Sequence, residues 1–182
     1  MAVKIEGASR LAKALEGTSR QLKKELQIAI NATATKSKSI INKEIRSELA
    51  LPAKAVNSLI SVSRKATADQ LGATVRVKRS KRPNLNEFSN RQTKAGVSAK
   101  ISKTKPRTVV PGAFKVDKWG GAVAVRRTKT RLPIRKPRGP SPGGVLLKGK
   151  KLDPAREQTK AELQKQIDRR IRFINLKKAG TV

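Results

Sequence analysis

Four aromatic side chains, Phe88, Phe114, Trp119 and Phe173, are all that this chain of 182 residues has to anchor a core. Rings supply much of the burial in ordinary interiors. The interior here must rest on Ile, Leu, Val and Ala, and it will be thin. A chain of this kind is expected to be marginal alone and to gain stability from association. The same shortage argues against stacking bases on aromatic platforms. The length points to one domain, with extensions.

Charge narrows the partners. Forty-four Lys and Arg face twelve Asp and Glu, a net charge of +32. Such an imbalance calls for a polyanion or an acidic protein surface. The chain has no Cys and no His, which removes disulfides, thiol nucleophiles, the usual zinc sites and imidazole catalysis. No Ser–His pair, no paired carboxylates in a motif and no GxxxxGK[ST] loop is present, and the prolines of "GPSPGG" remove N–H donors that a phosphate cradle needs. Neither an enzyme nor a cofactor is expected. No apolar run approaches the roughly 20 residues of a membrane span, and "MAVKIEGASR" lacks the apolar segment of a signal peptide. A soluble product of the cytoplasm is expected.

Periodicity sets the elements. "VKIEG" reads as a short strand or arm, and Ala8, Leu11, Ala12 and Leu15 share one helical face before Gly17, with Thr18 or Ser19 as the next N-cap. From Ser19 to Leu49, Leu22, Leu26, Ala29, Ile30, Thr33, Ser37, Ile40, Ile41 and Ile45 fall three or four apart. They predict a rod of roughly 45 Å. Its small, polar middle, "NATATKSKS", suits close approach of another helix or a sheet. "LPAKAVNSLISVSRKA" predicts a second helix with Pro52 in its first turn and Val56, Leu59 and Ile60 inward.

Beyond residue 66 the period changes. Ala73, Val75 and Val77 alternate with Thr74, Arg76 and Lys78 as in a half-buried strand. "AGVSAKIS" places Val97, Ala99 and Ile101 on one strand face. "TVVPGAFKV" and "GAVAVRRT" predict two strands joined across "DKWGG", where Gly120 and Gly121 permit a tight turn. "LPIRKPRGPSPGG" is expected to be extended and irregular. "LDPAREQTKAELQKQIDRRIRFINLKK" predicts a helix with Asp153 as N-cap, Pro154 at its first position, and Leu163, Ile167, Ile171 and Ile174 as its stripe. Lys177 and Lys178 complement its C-terminus, and Gly180 stops it. The plan is α+β: long N-terminal helices (1–66), a small, mostly antiparallel sheet with basic loops (67–138), a Pro/Gly-rich loop (139–152) and a C-terminal helix (153–178).

Between Arg76 and Arg138 stand twenty basic residues and two acids, Glu87 and Asp117. Charge gathered on a sheet and its loops, not on one helix face, argues against a major-groove recognition helix. It fits contact with phosphate backbones or an acidic wall, without sequence readout.

The chain resembles the minor tail protein Z family, the tail completion proteins of lambda-like long-tailed phages, over most of its length. The likeness begins with "MAVKIEGASRLAKALEGTSRQLKKELQIAINATATKSKSIINKEI" and continues through "LPAKAVNSLISVSRKATADQLGATVRVKR", "RQTKAGVSAKI" and "VAVRRTKTRLPIRKPRGPSP". Its most specific pieces are Pro111-Gly112-Ala113-Phe114, then Arg131-Leu132-Pro133-Ile134 and Gly139-Pro140-Ser141, in that order behind the long helix. The chain departs from the family in the lean "DKWGGAVAV" and the long "RKPRGPSPGGVLLKGKK".

The resemblance implies a virion protein at the head-proximal end of the tail that completes the tail and enables head–tail joining. It implies a homo-oligomeric ring, a hexamer by the tail's symmetry, with tail terminator or tube proteins and neck or connector proteins as partners. Genomic DNA passes through its channel without sequence readout, and no membrane is involved. Six copies would carry about +192, while a ring about 40 Å deep surrounds only about 24 phosphates at one per 1.7 Å of duplex. DNA therefore balances a minor share, and two basic surfaces are expected. Arg79, Lys81, Arg82, Arg91, Lys94 and Lys100 are assigned to the lumen. Arg126, Arg127, Arg131, Arg135, Lys136 and Arg138 are assigned to docking on neighbouring rings, in a segment its prolines pre-order. Pro111 and Gly112 set how their strand begins, Phe114 and Trp119 anchor the core, and Leu22, Leu26, Ile40, Ile41 and Ile45 pack the long helix.

Two other readings compete. A ribosomal or nucleoid type of nucleic-acid-binding protein explains 76–138 but not the small-residue stripe of the long helix. An assembly chaperone would share the charge and be missing from the finished particle.

Overall fold

The computed structural model describes residues 2–4, 20–78, 81–126, 128, 130, 132–148 and 151–178. The helix expected over 8–15, its successor's N-cap at Thr18 or Ser19, the stop at Gly180 and the side chains of Lys177 and Lys178 lie outside that description. In chain order the elements are β1 (Ala2–Lys4), α1 (Arg20–Glu48), α2 (Ala53–Asn57), β2 (Ile60–Arg64), β3 (Thr74–Val77), β4 (Ser89–Thr93), β5 (Gly96–Lys100), β6 (Thr108–Pro111), β7 (Ala113–Val116), β8 (Ala122–Arg126), β9 (Ile134–Arg135), α3 (Pro142–Lys148) and α4 (Leu152–Lys178). The class is α+β, with a long helix near the N-terminus, small antiparallel sheets and a closing helix. The strands form three sheets of three, β1-β3-β2, β4-β5-β6 and β7-β8-β9, where a single small sheet was expected. The chain divides into two compact units, one from 1–41, 60–77 and 150–182 and the other from 42–59 and 78–149.

In the first unit the α1 stripe is buried as its spacing predicts. Leu26, Ala29, Ile30, Thr33, Ser37 and Ile41 are buried, and Leu22 and Ile40 are half-buried. The polar members lose nothing by burial. Thr33 Oγ1 donates to the carbonyl of Ala29 at 2.9 Å, and Ser37 Oγ donates to that of Thr33 at 2.8 Å. Each hydroxyl is satisfied by its own helix, so the stripe stays small and can be covered closely. Asn31 holds the loop after β2 from both sides. Its Nδ2 donates to the Ala66 carbonyl at 3.0 Å, and the Ala66 N–H donates to its Oδ1 at 2.8 Å. Ala73, Val75 and Val77 turn inward and Arg76 outward, as alternation requires.

In the second unit the end of α1 is tied down by backbone. The Ala50 N–H donates to Ile101 O at 2.9 Å and that of Lys103 to Glu48 O at 2.8 Å. Asn42 Nδ2 reaches Ala53 O at 3.1 Å and Asn57 Oδ1 at 2.7 Å, which sets α2 against the helix. Phe88, 2% exposed, is the buried ring of this unit. Around it two distant segments clasp: Gly139 N–H donates to Pro83 O at 2.8 Å, Leu85 N–H to Pro137 O at 3.2 Å, and Asn84 bridges Arg138.

Several expectations are corrected. The helix restarted by Pro52 lasts five residues, and Ile60–Arg64 is a strand paired with β3. Val56, Leu59 and Ile60 are buried as expected, but a short helix followed by a strand places them there. The alternating "ISVS" has β-branched residues at every second position, and strand pairing outweighed helical spacing. "TVVPGAFKV" is two strands in two sheets, parted at Gly112, whose φ is 65°. The expected loop at 139–152 contains α3. Its first helical position is Pro142, and Ser141 Oγ accepts the Gly144 N–H at 3.4 Å. α4 begins at Leu152, so Asp153 lies in its first turn, 3.6 Å from Arg156, and not at the N-cap. Trp119 is no core anchor: it is 50% exposed, and Phe114 is half-buried.

Candidate polyanion-binding face

The sequence from Phe88 to Val116 contains seven Lys and Arg and no Asp or Glu. It builds the sheet β4-β5-β6. A turn at Lys94-Ala95 leads into Gly96, whose φ is 140° and whose absent Cβ would stand 2.1 Å from Val110 O. Only glycine lets β6 approach here. Register then sorts the side chains: Arg91 lies opposite Ser98, Ser98 opposite Val109, and Ser89 opposite Lys100. These residues share one face, because neighbours across a pair and alternate residues along a strand point the same way. Asn90, Gln92, Val97, Ala99 and Val110 share the other, where Val97 and Ala99 are fully buried.

Arg107, just before β6, completes the cationic face. Its Nε lies 3.4 Å from Ser98 Oγ, and a terminal nitrogen donates to Ser89 O at 3.1 Å. The guanidinium thus crosses from β5 to β4. Lys100 Nζ donates to Lys105 O at 2.8 Å, and Arg91 is exposed. The partners of Lys100 and Arg107 are carbonyls and hydroxyls, which orient a cation without cancelling its charge. The register sets Arg91 opposite Ser98 and Lys100 opposite Ser89, so no two cations of this face stand directly opposite each other. Cations set on three neighbouring segments can meet phosphates or carboxylates.

Arg91 and Lys100, both expected at the lumen, come together here. Lys94 is exposed at the β4–β5 turn, and Lys81 is exposed before β4. Arg82 has a structural partner, since its Nε donates to Gly139 O at 3.0 Å within the clasp. Arg79, Arg127 and Arg131 lie outside the described residues. Of the remaining docking residues, Arg135 and Arg138 are exposed, while Arg126 and Lys136 each stand over a ring. The clasp joins the segment assigned to the lumen to the one assigned to docking, through Arg82 with Gly139 and Asn84 with Arg138. Sequence reasoning misses Arg107, although it stands two residues before Val109 and the period of two places it on the same face.

Gln92 links this sheet to the next. Its Nε2 donates to Ala113 O at 3.3 Å, and its Oε1 accepts the Lys115 N–H at 3.0 Å, much as a strand backbone would. Among the described residues no group of three His, Cys, Asp or Glu side chains could hold a metal, and no helix is long and apolar enough to cross a membrane. Comparison with protein-family models, with curated proteins and with solved structures returns no match.

Proposed function

We propose that the chain is a structural protein of a phage virion, acting at the head-proximal end of the tail to complete it and to enable head–tail joining and DNA passage. The observation that supports this reading is the cationic face of Arg91, Lys100 and Arg107, on a segment without Asp or Glu, which suits a polyanion. The resemblance to the tail completion family supplies the setting. In that setting the chain forms a ring of six, DNA phosphates meet part of the basic surface, and acidic tail and neck proteins meet the rest. The described residues offer no His or Cys chemistry, and the role proposed is not catalytic.

Mass spectrometry of purified particles tests this directly. The chain is expected in mature virions and in completed tails; its absence from both sinks the reading. The cationic face also favours a second reading, a ribosomal or nucleoid type of nucleic-acid-binding protein. Such a protein binds tightly and with steep salt dependence as an isolated monomer, whereas a ring component needs assembly for tight engagement.

A further inference from the structure

The third sheet carries a different surface. Phe114 on β7 lies opposite Ala124 on β8, and Arg126, two residues on, lies opposite Ile134 on β9. These residues share one face. There Arg126 holds its guanidinium carbon 5.1 Å from the Phe114 ring centroid. Two residues past Ile134, Lys136 holds Nζ 5.2 Å from the centroid of Trp119. Trp119 is half exposed and Leu132 is 65% exposed, in a chain that has one tryptophan in all. Residues 113–138 hold nine basic side chains and one acid, Asp117.

We infer that this face, with Trp119, Leu132, Arg126 and Lys136 as its anchors, docks an acidic protein surface that also presents aliphatic side chains. The inference gives a partner to the docking role proposed above and rests on it. Exposed tryptophan and arginine are what tight protein interfaces concentrate. Cations held over rings are already oriented and partly desolvated, ready for carboxylates. A second copy of the chain would set Arg126 and Lys136 against the same cations, which like-charge repulsion opposes. Nucleic acid fits less well. Lys136 covers one face of the Trp119 ring against a stacking base, and Leu132 gains nothing from a hydrated phosphate backbone.

Trp119, as the sole tryptophan, reports its own occupancy by fluorescence. The purified full chain is titrated with a peptide alternating Glu and Leu, an all-Glu peptide of the same length, and an oligothymidylate of equal charge. The Glu/Leu peptide is expected to shift Trp119 emission to shorter wavelength and to bind more tightly than all-Glu. Leu132→Ser, or Trp119→Ser read by anisotropy of labelled peptide, weakens Glu/Leu binding about tenfold or more and leaves all-Glu binding unchanged. Should Trp119→Ser fail to fold, Leu132→Ser alone carries the same test at an exposed position. Equal binding of the two peptides, an unresponsive Trp119, or a response to oligothymidylate alone overturns the inference. Each of those results is independent of whether the chain is found in virions, so the two proposals fail separately.

Discussion

Gly139 lies so close to the ring of Phe88 that a Cβ there would stand 2.5 Å from Cε2 and 2.7 Å from Cζ. The ring is buried and cannot swing aside, and the Gly139 backbone is held by Pro83 and Arg82. Gly139→Ala is therefore expected to destabilise the protein by about 1–3 kcal/mol through overpacking. The check is a lower urea midpoint at unchanged slope. Adding Phe88→Leu should return part of the loss in a double-mutant cycle.

Asn31 is expected to be worth more than an ordinary polar residue on a helix. Asn31→Ala leaves both the N–H and the carbonyl of Ala66 without their partner, at a cost of about 1–3 kcal/mol for part-buried groups. Asn31→Asp keeps the acceptor for the Ala66 N–H but sets a carboxylate oxygen against its carbonyl. It should also destabilise, and thermal melts of the two variants beside the parent decide whether the loop is held by this amide.

Neutralising the cationic face should change salt dependence more than stability. Arg91→Gln, Lys100→Gln and Arg107→Gln together are expected to lower the slope of log K against log salt for duplex DNA by up to about 2.7, at roughly 0.9 for each phosphate no longer neutralised. Fluorescence anisotropy of a labelled duplex across a salt series measures it. An unchanged slope would mean that phosphates do not bind at this face.

Gly96 should tolerate replacement least. Its φ of 140° is unfavourable for any L side chain, and a Cβ would overlap the Val110 carbonyl. Gly96→Ala is expected to cost at least about 3 kcal/mol, from strain combined with the lost β5–β6 pairing. Hydrogen exchange of the β5 and β6 amides checks it: protection there should fall before protection in α1.

Much of this architecture could be read from periodicity. The three-to-four spacing of Leu26, Ile30, Thr33, Ser37, Ile41 and Ile45 marked α1 and its buried face, and the alternation of Ala73, Val75 and Val77 marked β3. Both are properties of neighbouring residues in one element, where side-chain direction follows from backbone geometry. The surplus of Lys and Arg between Arg76 and Arg138 likewise marked where positive charge gathers.

Other features depended on residues far apart in the chain. Val56, Leu59 and Ile60 satisfy a helical spacing, and pairing with β3 made a strand of the last. Phe88 became the buried ring because Gly139 closes over it, while Trp119 went to the surface under Lys136. Arg91, Lys100 and Arg107 became one face only through the register of three strands. Local spacing says which way a side chain leaves the backbone; what it meets there is settled by packing between segments, and no short stretch of sequence contains both partners.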